Sequence, residues 1–117
     1  MKLSVAEIVI ALLVVAAGVG VYVYAHRDEP AIERTKERGA IVVGALEAYR
    51  AQAGRYPDSL PQLVPSLIDS VPAPEWGDRW SYRTFSDGAH AELYVRAGTG
   101  RLTLRYDFGA GRWGLDN

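Results

Sequence analysis

The residues able to do chemistry are few. His26 and His90 are the only histidines, and neither stands at a metal-ligand interval from the other. No Ser–His–Asp order occurs, and the absence of cysteine excludes disulfide frameworks, cysteine zinc sites and thiol nucleophiles. Asp69, Asp78 and Asp87 fall near loops, where nothing pairs them as acid and base, and Asp87-Gly88 reads as a turn. Gly98, Gly100, Gly109 and Gly111 lack the strand–loop–helix context and the following Lys-Ser/Thr of a phosphate loop, so they read as hairpin glycines. With 13 basic against 14 acidic side chains, the chain lacks the electrostatic footprint of a nucleic-acid binder. Trp76, Trp80 and Trp113 can line a binding surface or fill a small core, and the core is the preferred reading. This inventory argues against an enzyme and implies no cofactor and no metal.

Glu7 is the most informative single residue, because it stands at the head of a long apolar run. Ile8 to Ala25 is 18 residues without a charge or a proline. As a helix it spans about 27 Å, close to the hydrocarbon thickness of a bilayer. Residues 1–25 are therefore expected to form a single transmembrane helix, with Tyr22 and Tyr24 at the headgroup level. The alternative is a cleaved secretory signal ending at Val23-Tyr24-Ala25, although Glu7 and a lone lysine make a poor leading region. A carboxylate costs up to roughly 3 kcal/mol at the centre of a membrane helix and much less near its end. Ala16 and Gly20 form a small-xxx-small pair that permits close helix approach.

Downstream elements must carry everything else. Residues 26–38 hold four positive and four negative charges and read as a mixed-charge helical spacer, in which Pro30 starts a new helix or kinks a continuous one. From there Val42, Leu46, Tyr49 and Ala53 recur on one helical face, widened by Ile41 and Ala45, and Gly54 stops the helix. Five of the six prolines crowd between Pro57 and Pro74, an ordered crossing with a short turn at Leu60–Val64 capped by Asp58 or Ser59. After Trp76 the apolar period becomes two. Strands are expected over Trp80–Phe85, Glu92–Arg96, Arg101–Phe108 and around Trp113 and Leu115. The short loops between them allow only an antiparallel meander with one apolar face, which the helix stripe would cover. The expected fold is α+β: a long N-terminal helix, transmembrane then amphipathic, packed on a small sheet, with the head over residues 39–117.

Ala45-Leu46, Tyr49, Gly54, Tyr56-Pro57, Ser59-Leu60 and Leu63 carry a resemblance to the type IV pilin and type II secretion pseudopilin superfamily, closest to the major-pseudopilin pattern. Trp76-Gly77 through Tyr82 continue it weakly, and the order of parts is similar. The resemblance implies a structural subunit of a secretion or pilus-type assembly in the bacterial inner membrane, with a periplasmic head and related subunits as partners. It also implies that Glu7 pairs with a neighbouring subunit's N-terminal amine, with snorkelling to the interface as the alternative. Lys2 stands where the family has its processing glycine, and the family's calcium-binding loop has no counterpart here, so no calcium ligands are carried over. Arg27, Arg34, Lys36 and Arg38 come after the apolar run, and their count alone would place the head in the cytoplasm. The missing glycine keeps a second function open: a non-polymerising, membrane-tethered binding module.

Overall fold

The computed structural model describes residues 2, 4–25, 29–98 and 101–116, with residues 22–25 described by their backbone alone. The chain divides into two compact units, Met1–Pro30 and Ala31–Asn117. Two helices and one antiparallel sheet make it α+β.

In the first unit, helix α1 runs from Val5 to Ala25. Its start is a reciprocal cap: the Glu7 N–H donates to Ser4 Oγ at 3.2 Å, and the Ser4 N–H donates to Glu7 Oε2 at 2.8 Å. That arrangement satisfies two of the four backbone donors a helix leaves open at its N-terminus. Among the described residues no helix is long and apolar enough to cross a membrane. This corrects the expected single-pass span over residues 1–25, and with it the inner-membrane, periplasmic-head location. The uncharged run whose side chains are described, Ile8–Val21, has 14 residues. That is about 21 Å of helix against roughly 30 Å of hydrocarbon. The expectation for Tyr22 and Tyr24 falls outside the described side chains, as does His26.

Helix α2 (Glu29–Ala53), all but its first two residues in the second unit, has Pro30 in its first turn, where the missing N–H costs nothing. Its buried face begins earlier than the charge pattern suggests. Ile32, Thr35, Gly39, Val42 and Leu46 recur at helical spacing, joined by Val43 and Ala45. Ile32 and Thr35 lie inside the stretch expected to be a solvated spacer, yet they are 8% and 0% exposed. Ile41, expected to widen the stripe, is 53% exposed. At about 100° per residue it sits roughly 140° from the centre of the buried face, whereas Val43 sits within about 60° of it.

A short 3₁₀ turn at Leu60–Leu63 comes next, where Gln62 Oε1 accepts the N–H groups of Asp58 at 2.7 Å and Ser59 at 3.4 Å. Four strands then form the sheet: β1 (Ser81–Phe85), β2 (His90–Arg96), β3 (Thr103–Asp107) and β4 (Arg112–Asp116). They lie in the order β1-β2-β3-β4, all antiparallel, as short connections require. One face carries Tyr82, Leu93, Val95, Leu104, Tyr106 and Trp113 against α2 and the proline-rich crossing. Leu102 lies outside β3 and is 37% exposed, so that strand is shorter than its apolar alternation suggested.

Two contacts fix α2, one to the crossing and one to the aromatic rings beneath it. Thr35 Oγ1 accepts the Glu75 N–H at 3.0 Å and the Trp76 N–H at 2.7 Å while donating to the Ala31 carbonyl at 2.8 Å. Gly39 lets the Trp113 and Trp80 rings approach the helix: a Cβ at Gly39 would lie 2.5 Å from Trp113 Cη2 and 3.0 Å from Trp80 Cη2. The three tryptophans act as core. Trp76 is 7% exposed, Trp80 stacks on Trp113 at 5.9 Å, and the Trp80 indole N–H donates to the Pro72 carbonyl.

Candidate functional site

Three places in the chain could carry function. The first is the surface of α1. Leu12, Leu13, Val14 and Val15 are consecutive and therefore point to every side of the helix, and each is at least 63% exposed. A helix apolar all round belongs in a buried setting. Ten large apolar side chains of α1 stand exposed, from Val5 to Val21. At about 1.5 kcal/mol or more for each one fully covered, a partner helix bundle offers on the order of 10 kcal/mol before association costs. Ala16 and Gly20 lie one turn apart on this surface, and a Cβ at Gly20 would meet nothing within 4 Å. Glu7 is already engaged in the Ser4 cap. The Ser4-x-x-Glu7 spacing is a sequence signal for that cap, and it gives the carboxylate a local role beside any intermolecular one.

The second place is the turn from α2 into the head, where the residues that carried the resemblance come together. Ala45, Leu46, Tyr56 and Leu63 share one buried cluster, with Tyr49 and Leu60 packed against it. Gly54 ends α2 at φ +77°, a left-handed conformation that suits glycine, and its N–H donates to the Arg50 carbonyl at 2.8 Å. Tyr56 then returns to the sheet: its N–H donates to the Gly88 carbonyl at 2.8 Å and its hydroxyl to Glu47 Oε1 at 2.8 Å. Burial, and after it the Glu47 carboxylate, push the Tyr56 phenol above its ordinary range. The Pro57 carbonyl accepts the Tyr82 hydroxyl at 2.6 Å, tying the crossing to β1. These residues lock the helix end to the sheet, and the Tyr56 hydroxyl and the Pro57 carbonyl are engaged in doing so.

The third is an open cleft of about 580 Å³ beside Tyr56, with Arg50, Phe85, His90, Glu92, Arg105 and Phe108 among its walls. Glu92, whose side chain is 15% exposed, holds Arg83 at 2.6 Å on one side and pairs closely with Arg105 on the other. No family model, curated protein or solved structure matches the chain. The cleft must therefore be weighed on its own chemistry. Two of its three arginines are bound to one carboxylate, and no group of three metal-ligating side chains occurs among the described residues. Asp87, one of the three loop aspartates, holds a left-handed φ of 55° in the Ser86–Gly88 turn, which accounts for it structurally. Sequence reading missed the Arg83–Glu92–Arg105 group, because the pairing is visible only once strand register is known.

Proposed function

We propose that this chain is a pilin- or pseudopilin-like structural subunit of a secretion or pilus-type assembly, acting by helix bundling and head-domain contacts. One observation carries the reading: α1 exposes large apolar side chains on all its sides. Such a helix gains stability when like helices cover it, and Ala16 with Gly20 gives one face on which backbones can come close. The residues of the resemblance support the same reading only at the level of the head, by building the turn that joins α2 to the sheet. In this function the work is associative: α1 supplies the attraction, and the head supplies register and partner choice.

The test is sedimentation of the full chain in a mild non-ionic detergent over a range of concentrations. Reversible self-association is expected. Leu13→Lys or Gly20→Leu should weaken it at least tenfold, about 1.4 kcal/mol, while the tryptophan-monitored melting of the head stays unchanged. A monomer at every concentration, or association indifferent to both substitutions, would refute the proposal. Ser4→Ala and Glu7→Ala separate the two roles of the carboxylate. Equal effects assign Glu7 to capping, and a larger effect of Glu7→Ala assigns it an intermolecular contact as well.

A further inference from the structure

The outer face of the sheet carries a diagonal row of charges that ends with opposite signs at its two edges. Arg83 on β1 bonds Glu92 on β2, Glu92 pairs with Arg105 on β3, and Arg105 Nε lies 3.4 Å from Asp116 on β4. β1 and β4 are the edge strands, each paired on one side only. Each is five residues long. The terminal members of the row, Arg83 and Asp116, have side chains 63% and 59% exposed. Two of the exposed large apolar side chains of this unit, Phe85 and Leu115, also sit on these edges.

We infer that the head joins a second copy of itself edge to edge, β4 of one copy against β1 of the next. With four antiparallel strands, β4 runs opposite to β1, so simple repetition of the sheet continues the antiparallel order. One register uses both strands in full. It sets Gly114 opposite Arg83, Leu115 opposite Tyr82 and Arg112 opposite Phe85, and it keeps outward residues beside outward residues. Within the chain, Arg105 lies opposite Gly114 and reaches diagonally to Asp116. Arg83 of the next copy takes the corresponding place on the other side of Gly114, so that Asp116 lies between two guanidinium groups. Gly114 leaves room for this, since a Cβ there would meet nothing within 4 Å. Arg112 covers the Phe85 ring, as Arg83 does inside the chain at 4.8 Å.

The charges also bear on the symmetric pairings. Joining β1 to β1 in full overlap sets Arg83 opposite Arg83, which like charge opposes. Joining β4 to β4 sets Arg112 opposite Asp116 and leaves Arg83 and Phe85 of both copies uncovered, so it gives no 85–112 link. The contact is head-to-tail, so each copy that joins leaves a free edge for the next. It is carried by head residues alone and goes beyond the α1 association proposed above.

Because the chain has no cysteine, the contact can be trapped directly. Full-length protein carrying Phe85→Cys and Arg112→Cys is oxidised with a copper–phenanthroline catalyst, and the disulfide-linked peptides are identified by mass spectrometry. The two positions lie on opposite edges, about 14 Å apart, too far for a bond within one copy. The expected result is a ladder of dimers, trimers and longer species joined by 85–112 links. R83D or D116R in that background lowers the yield at least tenfold, and R83D/D116R together restore it. The restored yield separates an intermolecular pair from damage to the row inside each copy. Links of only 85–85 or 112–112 type, a yield indifferent to the charge reversals, or no rescue in the double variant overturns the inference. Loss of the 85–112 link while α1-driven sedimentation persists overturns this contact alone.

Discussion

Replacing Thr35 by valine removes one oxygen atom and almost no volume, yet it should be among the most damaging substitutions in the head. Its hydroxyl accepts two backbone N–H groups, from Glu75 and Trp76, at a site that is 0% exposed. The Trp76 donor is buried and the Glu75 donor half-buried. Leaving a buried donor without an acceptor costs about 1–3 kcal/mol. Taking roughly 2 for Trp76 and 1 for Glu75 gives about 3 kcal/mol. Valine and threonine have similar helix propensities, so none of this loss is intrinsic to α2. For a domain of this size, about 3 kcal/mol corresponds to a fall of roughly 12–24 °C in Tm. Thr35→Ser keeps the hydroxyl and loses a methyl group, about 1 kcal/mol. All three tryptophans lie in the head, so fluorescence-monitored melting of the full chain reports this unit. If valine costs no more than serine, the Thr35 hydroxyl is not what holds the crossing to the helix.

Two glycines of α2 should respond to alanine with opposite signs. Gly44→Ala meets nothing within 4 Å and should gain up to about 1 kcal/mol from helix propensity. Gly39→Ala meets the Trp113 and Trp80 rings and should lose about 1–2 kcal/mol net, since overpacking outweighs the same propensity gain; urea midpoints decide both. Tyr82 gives a pH dependence. Burial first, then the neighbouring Tyr56 and Asp58, raise its phenol above the ordinary value of 10.0. Below pH 10 it is protonated in both states and costs nothing; as pH rises through 10 the unfolded chain ionises first and the head loses stability. Tyr82→Phe should therefore lower stability by about 1 kcal/mol at neutral pH, through the lost bond to Pro57, and flatten the alkaline decline. A decline as steep as that of the parent protein would show that Tyr82 is not its source.

The sheet was legible in the sequence because alternation is a local property. Leu93 with Val95, and Leu104 with Tyr106, read directly as one face, and the glycine-rich turns between them fix the meander. Gly54 was legible as a helix stop for the same local reason. The upstream half of the α2 stripe was hidden by composition. Ile32, Thr35 and Gly39 continue the spacing of Val42 and Leu46, but Glu33, Arg34, Lys36, Glu37 and Arg38 between them look like a solvated run. Several of those charges are used locally: Glu75 pairs closely with Arg34, and that contact holds its carboxyl below the ordinary range. Ile41 misled because successive residues point about 100° away from each other, so its neighbour Val42 faces the core at 0% exposure while Ile41 turns outward. The charge row across the sheet was not legible at all. Glu92, Arg105 and Asp116 are eleven or more positions apart and meet only through strand register and twist.

The Trp113 ring lying against Gly39 joins the last strand to the early part of the helix, across 74 positions of sequence. Val95 and Leu104, from the middle of the sheet, complete the same cluster with Ile32 and Trp76. Contacts of such separation set a slow pace, since the loop they enclose must be closed before they contribute. During synthesis α2 therefore emerges with its apolar stripe uncovered and stays so until the strands that cover it have been made. The head is a unit that a growing chain can finish only once β4 has been made. A chain broken off before Trp113 would present the face of α2 bare, in the form most prone to seek a wrong partner.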